Sequence, residues 1–507
     1  MLFREVVDVS AAVGGTRSRL AKVDALAGVL RRVEGEAEAR AVVAFLAGGP
    51  RQGRIGAGWR TLVALVERPA GVATLSVSDV DTVFELVAGT AGVGSAARRA
   101  ELLSGLLDRA TEPEQRFLRA LLTGELRQGA LEGVMLDAIA KAGDAAQAAV
   151  RRAFMLSGDL PTTAWTALSA GTGGLEAVTL SVGTPVRPML ASPGESLAEA
   201  MAELPDPVVE FKLDGARVQV HKDGDDVRVW TRTLREITGS VPELVDVVRA
   251  LPCRRVVLDG ETLALTDDGR PRPFQETMSR FGSTADEQVK ALLLRPYFFD
   301  CLHVDGVDLI DEPLRVRREA LRRVVGEHVI PGTTDAGEAE GFAARALAAG
   351  HEGVVVKDLG STYQAGRRGK AWRKVKPVHT IDLVVLGAEW GHGRRTGFLS
   401  NLHLGARDPD GGPPIMVGKT FKGLTDELLR WQTDEFPRHE SHRDDWAVYL
   451  RPELVVEIAV DGVQVSTRYP GGVALRFARV VRYRPDKTPD EADTIDAVRA
   501  LGSPDRR

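Results

Sequence analysis

The stretch EFKLDGARVQVH (210–221) puts Lys212 in an alternating apolar run, with Glu210 two residues before it and Asp214-Gly215 just after. The alternation of Phe211, Leu213, Val218 and Val220 predicts a strand, an Asp-Gly turn and a second strand, with Glu210, Lys212 and Asp214 on one face. A lysine amine, unlike a guanidinium, can lose its proton to its surroundings and attack an electrophile. The chain uses lysine sparingly, 12 against 54 arginines, and Lys212, Lys357, Lys374 and Lys376 are four of the twelve. Later β-rich segments each end in a residue that nucleotidyl transfer would use. Glu261 in LDGETLAL follows an Asp-Gly and faces out of an apolar strand, and Phe299 in YFFD offers an aromatic face. Glu352 and Lys357 bracket GVVV, while Lys374 and Lys376 alternate on one face of WRKVKP. Read singly, each is an ordinary surface or core residue. Read in order, they supply a nucleophile, carboxylates for a hard cation and cations for phosphate.

These residues need strands to hold them, and the pattern supplies them. From about residue 205 short β runs alternate with turns, and helical stretches such as EPLRVRREALRRVVGEH lie between them, an α+β arrangement. After KVKPVHTIDL the chain is mostly strand and turn (IDLVVLGAEW, SNLHLGAR, IMVGKTF, ELVVEIAV, ALRFARVVRY), which suits a small OB-type barrel. Residues 1 to about 175 place Leu and other apolar residues at helical spacing, with a start predicted at Thr111 or Glu112. GTGG (171–174) and VGTPVRPMLASPGES (182–196) predict a linker. The expected domains are therefore 1–175, a linker over 176–204, 205–377 and 378–507. GPPIMVGKT (412–420) imitates a phosphate-binding loop, but its spacer is too long and holds two prolines, which lack the N–H a phosphate needs. GHGRRTG (391–397) misses the dinucleotide spacing and reads as a loop.

A length of 507 residues, 44% hydrophobic and 27% charged, fits a globular chain of several domains. No apolar run is long enough to span a membrane, no signal-peptide core is evident, and two cysteines cannot make a zinc cluster alone and do not suggest a secreted scaffold, so a cytoplasmic protein is expected. The net charge of −5 argues against a uniformly basic nucleic-acid binder, yet AGRRGKAWRKVKP (365–377) and RFARVVRYRPDK (476–487) are locally one-sided.

Taken together, KLDGAR, TRTLREITG, VLDGETLA, YFFDCLHVDG, EGVVVK and WRKVK resemble the successive motifs of ATP-dependent DNA ligases, within the covalent nucleotidyltransferases. RFARVVRYRPDK resembles their last motif. LTGELRQGALEGVMLDAIAKA and TPVRPMLAS resemble the helical DNA-binding domain and the segment entering the core, so the likeness covers nearly the whole chain. It implies a multidomain fold: an all-α DNA-binding domain, an α+β nucleotidyltransferase core of the ATP-grasp-like ligase type, and a C-terminal β-barrel OB-fold. It implies ATP as AMP donor, Mg²⁺, and nicked double-stranded DNA encircled by a monomer. The work would be replication, repair or recombination.

By resemblance Lys212 carries AMP, Glu210 reads the adenine edge, and Phe299 stacks on its ring. Arg217 and Arg232 hold ribose and the nick phosphate. Glu261 and Glu352 bind metal, Glu261 also lying against the nucleotide. Arg368 (or Arg367), Lys374 and Lys376 contact nucleotide phosphates. Arg484, Asp486 and Lys487 orient pyrophosphate in the first step only, which requires a hinge near Lys376–Thr380. The rivals are an RNA ligase or capping guanylyltransferase, which the long helical region disfavours, and a catalytically dead DNA clamp, which the complete residue set disfavours. An NAD-dependent ligase would need a four-cysteine zinc site.

Overall fold

The computed structural model describes the chain except residues 54, 57, 59–60, 63–64, 66–67, 127, 129–131, 267–268, 273–275, 278–293, 365–367 and 503–507, and the side chains at 368 and 394. Arg367 and parts of the AGRRGKAWRKVKP and LTGELRQGALEGVMLDAIAKA stretches thus lie outside the described residues.

Among the described residues, nine helices occupy the region from Phe3 to Glu176. Helix Glu112–Thr123 starts where the sequence predicts, and Thr111 caps it through a capping box with Glu114. Phe3, Phe45, Phe84 and Phe117 pack edge to face at 5.6–5.9 Å between centroids and anchor one shared core. GTGG does not open a linker: helix Leu160–Glu176 runs through it, bent where Gly171 adopts φ 60 and ψ −153.

The central region is built from two five-stranded sheets. The first has the order β1 (Leu190–Pro193), β10 (Arg368–Val375), β9 (Gly353–Asp358), β2 (Pro207–Lys212), β8 (Gly332–Thr333). The second has the order β4 (Asp226–Thr231), β3 (Ala216–Asp223), β5 (Arg255–Ala264), β6 (Leu294–Val304), β7 (Val307–Asp308). The TPVRPMLAS stretch, expected within a linker, therefore contributes edge strand β1, parallel to β10. Apolar residues of both sheets and of the segments joining their strands, among them Leu213, Leu263, Phe299, Tyr363 and Trp372, meet in one cluster. Helices Pro242–Arg249 and Leu314–Val325 cover the outer face of the second sheet, and Leu197–Ala202 and Ala339–Ala348 cover that of the first. Each sheet thus buries both faces.

The predicted hairpin at Lys212 does not form. β2 pairs with β8 and β9, β3 pairs with β4 and β5, and the KLDGA segment crosses from one sheet to the other. An Asp-Gly signals a reversal but does not specify which strand the chain joins next. Gly215 is required by close approach instead: a Cβ there would sit 2.4 Å from the Thr262 carbonyl oxygen and 2.5 Å from Leu263 Cδ2.

β10 ends at Val375 and β11 (His379–Trp390) begins the C-terminal region, so three residues link the two. The long β11 pairs with β12 (Leu399–Ala406), β15 (Ala447–Leu450) and β16 (Val455–Val460), curving the sheet around an apolar core. The imitation phosphate loop is strand β13 (Ile415–Thr420). ALRFARVVRY is two strands, β18 (Val473–Arg476) and β19 (Arg479–Tyr483), broken where Phe477 takes φ 54. Among the described residues, no helix is long and apolar enough to cross a membrane.

Candidate active site

The two central sheets flank a cavity of about 660 Å³. It is lined by eight basic and four acidic side chains, an excess of positive charge suited to a polyphosphate. Glu210, Lys212, Arg217, Arg232 and Glu261 all line it, and so do Phe299, Glu352, Lys374 and Lys376. The structure thus brings nine sequence-predicted residues around one space. Arg368 lies on β10 opposite Leu190, with its side chain outside the described set.

Lys212, at the end of β2, forms an ion pair with Glu352, which precedes β9. Gly353 permits that approach, with φ +141 and room for a Cβ only 2.4 Å from the Val375 carbonyl oxygen. Burial would raise the Glu352 carboxyl, but the Lys212 ammonium, Asp214 and Lys376 together hold it down to about 2. Asp214 moves the opposite way, raised by burial and by its hydrogen bond with Glu352. Glu261 on β5 is pushed up to about 7 by burial, against the pull of Lys212 and Arg217. A carboxylate so poorly solvated gains from a cation. Glu261 and Glu352, which line the cavity together with Lys212, fit Mg²⁺, which takes one or two carboxylates and keeps several waters. Among the described residues no cluster of three or more His, Cys, Asp or Glu is set for a metal ion.

Glu210 is 1% exposed, 3.0 Å from Arg318 and 2.6 Å from Lys357. Lys357 Nζ lies 4.3 Å from the ring centroids of both Phe299 and Trp372. The wall that can accept a planar base therefore combines aromatic faces with a buried carboxylate. Arg217 is tightly braced: it donates to both Asp259 oxygens at 3.0 and 2.7 Å and to the Met189 carbonyl at 2.6 Å. Tyr363 in turn donates to Asp259 at 2.6 Å. Three of the five guanidinium N–H groups are thus engaged, leaving two for a ligand.

The barrel reaches this cavity through Arg476 and Phe477. Arg476 lies 3.4 Å from Asp214 and 3.7 Å from Glu352, and the Phe477 ring is 5.5 Å from Lys376 Nζ. Arg484, Asp486 and Lys487 are not brought to the cavity. Arg484 pairs with Asp486 at 2.7 Å and Asp382 at 3.1 Å, and Lys487 with Asp382 at 2.6 Å. Sequence reasoning missed Arg318, Asp259, Tyr363 and Trp372. Arg318 left one trace, a charge on the buried face of Leu314–Val325.

Three family models match: DNA ligase N terminus over 64–140, ATP dependent DNA ligase domain over 188–376, and ATP dependent DNA ligase C terminal region over 395–487. A probable DNA ligase of Rhodococcus jostii (strain RHA1) is 67% identical over 505 residues, covering 99% of both chains. One from Saccharopolyspora erythraea is 65% identical over 508 residues, covering 100% of this chain and 99% of its own. The solved structure Pmar-Lig_Pre. shares the fold at TM-score 0.62 and 18% identity, covering 96% of this chain and 100% of its own. With matched models in all three regions and relatives similar along their full length, the chain belongs to the ATP-dependent DNA ligases.

Proposed function

We propose that the chain seals nicks in duplex DNA in three in-line phosphoryl transfers, with Lys212 as the carrier of AMP. In the first, Lys212 Nζ bonds to the α-phosphorus of ATP, the bond to the β-phosphate oxygen breaks, and pyrophosphate leaves as the amine loses its proton. In the second, a 5′-phosphate oxygen at the nick takes the adenylyl group and the lysine is regenerated. In the third, the 3′-hydroxyl attacks the 5′-phosphorus, loses its proton and expels AMP. The observation that carries this reading is the position of Lys212, paired with Glu352 and within electrostatic reach of Glu261 in a cavity with a positive excess.

Glu210 would accept from the exocyclic amine of the base and Phe299 would stack on its ring. Arg217 and Arg232 would hold ribose and the nick phosphate, and Arg368, Lys374 and Lys376 would neutralise nucleotide phosphates. Glu261 and Glu352 would hold Mg²⁺, which when bound offsets charge on the phosphates. Arg484, Asp486 and Lys487 would serve only the first step, after the barrel turns about the 376–378 link. The arrangement described here, with Arg476 docked on Asp214, suits the steps on DNA. The enzyme would work as a monomer around the duplex, reading backbone rather than bases, in replication, repair or recombination.

The test is joining of a duplex with one nick carrying a 5′-phosphate, in ATP and Mg²⁺. The wild type should join the strands, and Lys212→Ala should not. Joining by the variant, or none by the wild type, contradicts the proposal.

A further inference from the structure

Lys376 lines the cavity from the end of the first sheet, and its ammonium sits between two carboxylates. One is Glu352, at 3.8 Å, from the same domain. The other is Asp461, from the barrel, whose second oxygen lies 3.7 Å from Arg479. Asp461 follows β16 directly and its side chain is only 11% exposed, so the pair is largely shielded from water. An ammonium has three N–H donors and no acceptor. One donates to Asp461 and Glu352 adds attraction at 3.8 Å, beyond hydrogen-bond distance, so a lysine with a long flexible stem becomes a positioned cation.

The pairing depends on how the barrel is docked. β16 and β19 form one antiparallel ladder, in which Val456 lies opposite Tyr483 and Ala459 opposite Arg479. Asp461 extends one end of it, while the Arg484 N–H donates to the Val455 carbonyl at the other. At about 3.3 Å per residue the two ends are roughly 20 Å apart. A docking that brings Arg484 and Lys487 over the cavity therefore takes Asp461 away from it.

We infer that Asp461 is a positioning residue for strand joining. It seats the Lys376 ammonium beside the reacting phosphates while the barrel is docked as seen here, and releases it when the barrel turns for the reaction with ATP. The inference rests on the proposed three-step cycle and adds a contact through which barrel docking is felt at the phosphate site.

The test compares full-length wild type, Asp461→Asn and Asp461→Glu in two single-turnover reactions. One is formation of lysine–AMP from α-labelled ATP and Mg²⁺. The other is joining of a nick synthesised with a 5′-adenylylated end, using protein first stripped of AMP by pyrophosphate. The ratio of joining to adenylylation should fall by at least about tenfold in Asp461→Asn, since a displaced phosphate-binding group costs rate steeply. Asp461→Glu, which keeps the charge, should recover most of it. A ratio unchanged in Asp461→Asn, parallel loss of both reactions, or a Glu variant as poor as the Asn variant would overturn the inference. A wild type that forms lysine–AMP but joins no strands would instead overturn the cycle beneath it.

Discussion

Glu261 gives the site a signature that can be read without any turnover. Burial moves its carboxyl from the ordinary 4.5 to about 7, so between those values the folded chain holds a proton that the unfolded chain has released. The sign follows directly: this group's contribution to stability is largest below pH 4.5 and is lost as pH rises towards 7. Glu261→Gln removes the titration, so the variant should gain on the wild type as pH rises. Each pH unit below 7 is worth about 1.4 kcal/mol, so between pH 5.5 and 8 the gain should reach about 2 kcal/mol. Urea unfolding of the core measures it, followed by tryptophan fluorescence because Trp230 and Trp372 are both buried there. Mg²⁺ should abolish the pH dependence in the wild type by stabilising the carboxylate, and should stabilise the variant less, through Glu352 alone. A difference between the two proteins that is flat across this range, or that favours the wild type at high pH, would refute the reasoning.

Two further outcomes follow from the geometry. Asp300→Ala should cost the core about 3–5 kcal/mol in the same urea measurement, because Arg317 and Asp300 are paired at 2.7 Å with both side chains 0% exposed, and the arginine would keep only the Glu312 and Ser361 carbonyls and no counter-charge. A loss under about 1 kcal/mol, as for an exposed pair, contradicts this. Lys487→Ala, which acts away from the cavity in the docked arrangement, should slow lysine–AMP formation by about tenfold while sparing the joining of pre-adenylylated nicks. Equal slowing of both reactions contradicts the assigned division of labour.

The sequence carried the residues of this site better than it carried their topology. Lys212 and Glu352 stand at strand ends and Glu261 within β5, where period-two alternation and short motifs mark them, and all three line the cavity. The path between them was not legible. An Asp-Gly between two apolar runs has the local form of a hairpin, and only the packing of β5 against Gly215 reveals a crossover between sheets. Helical periodicity gave the N-terminal region, but a glycine-rich stretch that reads as a linker is held helical at both sides of Gly171 by its tertiary surroundings. Arg318, Asp259 and Tyr363 were invisible because their importance lies in partners 42 to 108 positions away in the chain, which no local pattern encodes. The barrel's contribution through Arg476 and Asp461 depends on how two domains meet.

The central claim concerns a single covalent bond, and peptide mass spectrometry after exposure to ATP and Mg²⁺ tests it most directly. One AMP should be found on the peptide containing residue 212, linked through the lysine nitrogen, labile to acid and removed by pyrophosphate. AMP on another residue, or a peptide unmodified in protein that joins nicked DNA, would contradict the account.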